Sequence, residues 1–249
     1  MAALMALART ADPEDRRSLR EGAEQNLAMA RHGMNLLPPG FASPKDQDTR
    51  ARLSSLVSAG VFARMSGEPH TVMTLAGSGN KGITVAVPVL LWSREAGHPE
   101  ERVLEALAFA CLMTSAATHH LGTLSAVCGA ANAAGIGVAS ALVLLGGGNP
   151  GQVGLAVNNM VGNVAGMICD GAKIGCAMKT MTGVDAAFRA ADLALAGIGI
   201  PVTDGIVGPS GEASLANLGR LAQQGMAGTD AVILEIMQGK LRQTATDRG

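Results

Sequence analysis

Apolar and charged positions change their pattern along the chain, and the changes predict its elements. Residues 14–35 mix acidic and basic side chains with Leu, Ala and Met at helical spacing, which predicts an exposed amphipathic helix. Pro38-Pro39-Gly40 stops it, and 41–48 reads as a loop. The helical period resumes over 49–65, with Leu53, Leu56, Val57, Gly60 and Val61 on one face. Ser66-Gly67-Glu68-Pro69 turns the chain, and the alternation over 70–76 predicts a short strand. From Pro99 the pattern is helical again, with Glu100 and Glu101 in the first turn.

Beyond Glu105 the charge disappears. From Ala106 to Cys169 there is no Asp, Glu, Lys or Arg, and it returns only with Asp170, Lys173 and Lys179. Small-residue helices are predicted over 130–145, ended by Gly146-Gly147-Gly148, and over 151–168, where Asn158, Asn159 and Asn163 recur at helical spacing and read as interhelical hydrogen-bonders or, for one of them, as a residue facing a site. Further helices are predicted over 178–197, 212–226 and 229–237, with a loop over 197–211 that holds Asp204 and a charged, fraying tail from Lys240. The fold class is mainly α: Ala/Gly-rich buried helices with a few short strands around 70–92 and 198–207.

Composition narrows the function classes. Hydrophobic residues are 48% and charged residues 16% of the 249, which favours a compact, buried body and a partner subunit. A net charge of −1, one Trp, no Tyr and no basic stripe argue against nucleic-acid binding. The uncharged stretch 126–148 is long enough to raise a membrane span, but it has no Trp/Tyr belt, no flanking Lys or Arg, and Asn132 and Ser140 inside it. A buried, Ala/Gly-packed helix accounts for it better, so no membrane partner is expected. The apolar N-terminus lacks the basic region of a signal peptide, and four cysteines are too few for a disulfide framework. A reducing cytoplasm fits, where such cysteines lean towards metal binding or catalysis.

Gly77-Ser78-Gly79-Asn80-Lys81-Gly82 formally matches a dinucleotide loop. The β-branched residues and Pro88 that follow make a poor start for the helix that should receive a pyrophosphate. The loop therefore reads as a tight glycine turn or a substrate-contacting loop, with Asn80 and Lys81 as its polar contacts. Cys169 and Cys176 lie seven residues apart, roughly 10 Å along an unbroken helix. Gly171 and Gly175 let the chain leave the helix and curl back, and Cys128 also stands beside a glycine. Three thiolates with an open fourth position suit an iron–sulfur cluster or zinc; the other reading is small buried hydrophobes, which is the one that holds for Cys111.

The run Ser125-Ala-Val-Cys-Gly, with Asn158 through Met-Ile-Cys-Asp-Gly-Ala-Lys-Ile-Gly-Cys-Ala-Met-Lys179, resembles the iron–sulfur-dependent L-serine dehydratase alpha-chain family, closest to its L-cysteine desulfidase branch. Ala76 through Ile83, Pro201 through Val207, Asn217 through Arg220 and Asp230 through Met237 extend the resemblance, which covers roughly 70–237. It implies a [4Fe–4S] cluster on Cys128, Cys169 and Cys176, and β-elimination from L-cysteine or L-serine to pyruvate and ammonia. Ser78, Gly79, Asn80 and Lys81 would meet the substrate. His120, eight residues before Cys128, and Lys173 would be catalytic, with Lys179 neutralising charge and Asp204 a weaker candidate. The domain reading is an N-terminal helical extension over 1–48 and a serine dehydratase alpha-like catalytic domain over 49–249.

Two departures stand out. The desulfidase branch carries an N-terminal portion with a Cys-Thr-Glu-type motif, whereas this chain has no cysteine before Cys111; and Lys81 stands where His or Gln is common. The expected assembly is therefore a homo-oligomer or a complex with a subunit carrying that portion. The rival is a non-catalytic iron–sulfur or zinc-binding fragment.

Overall fold

A computed structural model describes residues 1–38 and 48–246 of the chain. Its helices are α1 (Ala2–Arg9), α2 (Pro13–Met34), α3 (Thr49–Met65), α4 (Gly79–Glu95), α5 (Glu100–Leu121), α6 (Asn132–Leu145), α7 (Pro150–Val164), α8 (Cys176–Leu195), α9 (Gly211–Arg220) and α10 (Thr229–Thr246). A π-helical turn, Leu221–Gly225, extends α9. The chain is mainly α, as its apolar period predicts. The loop expected over 41–48 lies outside the described residues except for Asp48, whose side chain caps α3 by accepting the N–H of Ala51 at 2.8 Å.

The uncharged stretch becomes the centre of the molecule. Every residue of α6 is buried, and α4, α5, α7 and α8 pack around it. Small side chains make this possible. A Cβ on Gly137 would collide with Thr114 Oγ1 and come within 2.6 Å of the Ala110 carbonyl, so α5 and α6 touch backbone to backbone there. On the opposite side Gly183 of α8 does the same against Ala131. Outside this centre α3 lies against α2 and α8, and Met5, Ala8, Leu27 and Met29 from α1 and α2 join the same core. Among the described residues no helix is long and apolar enough to cross a membrane.

Two expectations need correction. No strand forms around 70–92 or 198–207; among the described residues the pairing consists of isolated bridges, Leu75 with Ser78 and Val127 with Ile168. Buried asparagines do the work of the missing neighbouring strands. Asn26 of α2 accepts the N–H of Met73 at 2.8 Å and donates to its carbonyl at 3.3 Å. Asn159 of α7 accepts the N–H of Ile200 at 2.8 Å and donates to the carbonyl of Ile198 at 3.1 Å. Secondly, the β-branched run after Gly82 is helical despite Pro88, because α4 is buried from Gly79 to Leu90 and packing outweighs propensity.

Boundaries move as well. The helix expected over 151–168 stops at Val164, which frees 165–168 for the bridge. The tail expected to fray from Lys240 is helical to Thr246. On this last helix Val232, Leu234, Ile236 and Leu241 are all exposed.

Candidate functional site

The bridge between Val127 and Ile168 brings two distant cysteines side by side. Cys128 donates its N–H to the Met167 carbonyl at 2.8 Å, and Cys169 donates its own to Ala126 at 2.7 Å. Alternation along even this short pairing puts both cysteines on the same side of it. Cys128 is only 4% exposed and sits at the entry to α6, where its thiol accepts the N–H of Ala131. Burial pushes the Cys128 thiol up; the Ala131 N–H works against this, the thiols of Cys169 and Cys176 add to the rise, and Lys179 opposes it.

Cys176 reaches the same place from the other end of a loop. After Cys169 the chain turns through Gly171 at φ +92°, a conformation that suits glycine, and Cys176 opens α8 with its thiol directed at the Gly171 carbonyl, 3.6 Å away. Asp170 and Lys179 close the loop with an ion pair, and Lys179 also donates to the Ile168 carbonyl at 3.1 Å. The Lys179 hydrogen bond holds the Asp170 carboxyl below the ordinary range. Burial works against the charged form of Lys179, yet Asp170, helped by Cys128 and Cys176, holds its ammonium above the usual value.

The third wall is the start of α4. Leu75 and Ser78 pair across a tight turn whose central residues, Ala76 and Gly77, have φ of 45° and 80°. Alanine is strained in that region, and the ammonium of Lys81 braces it by donating to the Ala76 carbonyl at 3.1 Å. Lys81 is buried and lies beside Cys128: burial lowers its pKa, and the thiol partly offsets that. A Cβ on Gly129 would come within 2.9 Å of Lys81 Cε, so the glycine after Cys128 is what admits the lysine. Ser78 caps α4, its hydroxyl 3.4 Å from the N–H of Lys81. Gly79 and Asn80 pack against Arg64 of α3, which donates to Asn80 Oδ1 at 3.0 Å.

Three thiols and two lysines thus share one electrostatic neighbourhood. An iron–sulfur cluster is bound by soft thiolates and stabilised by backbone N–H groups and nearby cations, and this donor set fits it. Among the described residues no group of three His, Cys, Asp or Glu side chains is gathered as around a single ion. Leu124, Ile168, Ile174 and Met178 form an exposed apolar rim on the same segments.

The sequence profile of the family described as "Serine dehydratase alpha chain" matches residues 5–235. The chain belongs to the serine dehydratase alpha chain family. It is similar to a UPF0597 protein of Desulforapulum autotrophicum, 39% identical over 97% of this chain and 57% of the relative. A UPF0597 protein of Caldanaerobacter subterraneus subsp. tengcongensis is 40% identical over 87% of this chain and 52% of its own length. One of Elusimicrobium minutum is 35% identical over 96% and 58%. The chain spans about half the length of the curated relatives it matches. No solved structure matches it.

The other sequence candidates fall in different places. Lys173 lies on the thiol loop, its charge acting on Asp170 and its ammonium 3.9 Å from Met237 Sδ of α10. His120 stands at the end of α5, its ring edge-on to His119 and its carbonyl accepting from Gln223 at 2.6 Å. No described contact joins its ring to the thiols. Asp204 makes a local contact with Thr203 at 3.2 Å in an exposed loop. Sequence reasoning missed the Asp170–Lys179 pair as the clasp of the loop and the lysine-braced turn at Ala76. Helical continuity from Cys176 to Lys179 was the available signal for the first; nothing in the residue order pointed to the second.

Proposed function

We propose that the chain is the catalytic portion of an iron–sulfur-dependent amino-acid lyase that performs β-elimination on L-cysteine, with L-serine as the second substrate. The observation that carries this is the meeting of Cys128, Cys169 and Cys176 beside Lys81 and Lys179 in a member of the serine dehydratase alpha chain family. In this reading the three cysteines hold a [4Fe–4S] cluster. Such a cluster, when bound, supplies a Lewis-acid iron that polarises the substrate's carboxylate or leaving group.

The chain's own residues then have defined tasks. Lys81 Nζ and Lys179 Nζ supply positive charge beside the thiols for an anionic substrate, and the first turn of α4, from Ser78 through Gly79 and Asn80, presents a helix N-terminus that favours a carboxylate. Burial of Cys128 and Lys81 keeps that end of the site dry, which strengthens both effects. The proposed proton carriers are Lys173 and His120, of which Lys173 lies on the thiol loop itself. One of them takes the Cα proton, the Cβ–S bond breaks with its electrons leaving on sulfide, and the resulting aminoacrylate tautomerises and hydrolyses to pyruvate and ammonia. With serine the Cβ–O bond breaks instead and water leaves.

The four cysteines are all free, which suits a reducing cytoplasm. The exposed apolar residues of α10 and of the thiol rim support an assembly, either with a second copy or with a subunit carrying the remaining length seen in the relatives. The test is anaerobic reconstitution followed by addition of L-cysteine. Brown protein releasing sulfide and pyruvate in equal amounts supports the lyase. Brown protein without turnover supports the rival, a non-catalytic fragment, in its cluster-bearing form; colourless protein rejects the lyase and any cluster and leaves only the zinc-binding form of the rival.

A further inference from the structure

We propose that a cleft between α7 and α8 binds a free α-amino acid with an aliphatic side chain, at a site separate from the thiols. The cleft has a volume of about 440 Å³ and is lined by Asn163, Val164, Met167, Asp185, Ala186 and Arg189 among others. That size accepts a small polar ligand.

The chemistry of the lining selects its class. Asp185 and Arg189 stand one turn apart on α8, at the spacing that ordinarily closes into an ion pair on a helix surface. Here neither takes part in an ion pair or hydrogen bond among the described residues. The next acid along α8, Asp192, is by contrast held by two nitrogens of Arg50. An open carboxylate and an open guanidinium side by side are complementary to an ammonium and a carboxylate on one carbon, the guanidinium offering a planar fork to the carboxylate. Asn163, exposed and without a side-chain partner among the described residues, adds an amide that can serve either group. Val164, Met167 and Ala186, beside Gly166 and Thr182, supply the uncharged part of the lining, which suits an aliphatic side chain such as leucine's better than a charged one.

The cleft also borders the thiol segment. Met167, part of its lining, is the residue whose carbonyl holds the N–H of Cys128, and Cys169 follows two residues later. An occupant therefore bears on the back of the segment that positions both sulfurs, and its presence alters the exposure of Cys169.

Titration calorimetry of the whole chain with L-leucine tests this, with 4-methylpentanoate (no ammonium) and 3-methylbutylamine (no carboxylate) as controls. The expected result is saturable binding of one L-leucine per chain, weakened about tenfold or more by R189Q and by D185N. Both truncated analogues should bind correspondingly worse. L-leucine undergoes no β-elimination, so this result is independent of the lyase reading. Absence of saturable binding, indifference to both variants, or equal binding of 4-methylpentanoate would each overturn the site. An iodoacetamide reaction at Cys169 whose rate does not change on adding L-leucine would overturn the link to the thiols.

Discussion

The N–H of Cys128 donates to the carbonyl of Met167 at 2.8 Å, across a bridge that joins the entry of α6 to the exit of α7. With its counterpart, Cys169 to Ala126 at 2.7 Å, this contact fixes the relative position of two thiols from segments distant in sequence. Neither helix needs to bend for it. α7 ends short of the region where its apolar pattern would have carried it, and α6 begins only after Cys128.

The centre of the fold is predicted to be intolerant of added volume. In G137A the new methyl falls on Thr114 Oγ1 and the Ala110 carbonyl, and neither backbone can withdraw. A loss of about 2–3 kcal/mol is expected, seen as a fall in thermal midpoint of about 4–12 °C. An unchanged midpoint would mean that α5 and α6 are not in backbone contact.

The turn at Ala76 is predicted to be under strain. A76G removes the Cβ from a residue at φ 45° and should stabilise the chain by about 0.5–1 kcal/mol in urea unfolding. K81M removes the brace on the Ala76 carbonyl and should destabilise it. Opposite signs for the two variants are the expected signature.

Glu105 of α5 is tied to α1 through Arg9 and is paired within its own helix with Arg102, and this linkage has a defined pH window. Burial alone would raise its pKa, yet the hydrogen bonds from Arg9 and Arg102 outweigh it and leave the carboxyl below the ordinary value. A group depressed in the folded state contributes its full stability above the unfolded pKa, about 4.3, and loses it as pH falls through the folded value. E105Q is therefore expected to cost about 1 kcal/mol at pH 7, shrinking towards zero as the medium is acidified below about pH 4. A penalty that persists in acid would show that packing, rather than charge, is what the residue provides.

Thiol reactivity should separate the four cysteines. Cys111 and Cys169 are both partly exposed, but the protein atoms packed around the Cys111 sulfur push its thiol up to about 12, so the native apo protein at pH 8 should leave it unmodified by iodoacetamide while Cys169 reacts. Peptide mapping after brief alkylation reads this directly, and early labelling of Cys111 would contradict it.

Much of this architecture was legible because the apolar period was strong. The helices over 49–65 and 130–145, and the uncharged stretch as a buried centre, follow from the spacing of Leu, Val, Ala and Gly. What was not legible depended on tertiary partners. Met73 and Ile200 lie in segments whose residues suggest strands, but Asn26 and Asn159 satisfy their backbone in place of a sheet. Val85, Val87 and Pro88 disfavour a helix locally and form one because nearly the whole of α4 is enclosed. At the site, the glycines around Cys169 and Cys176 signalled a break, while the neighbourhood of Lys81 and Cys128 spans segments that no local pattern connects.

Iron content after anaerobic reconstitution tests the central claim most directly, measured on the parent chain and on C111S, C128S, C169S and C176S together with the visible absorption of each. The prediction is about four irons per chain in the parent and in C111S, with loss of iron and colour in each of the other three. Full iron retained in C128S, or iron lost only in C111S, would contradict it.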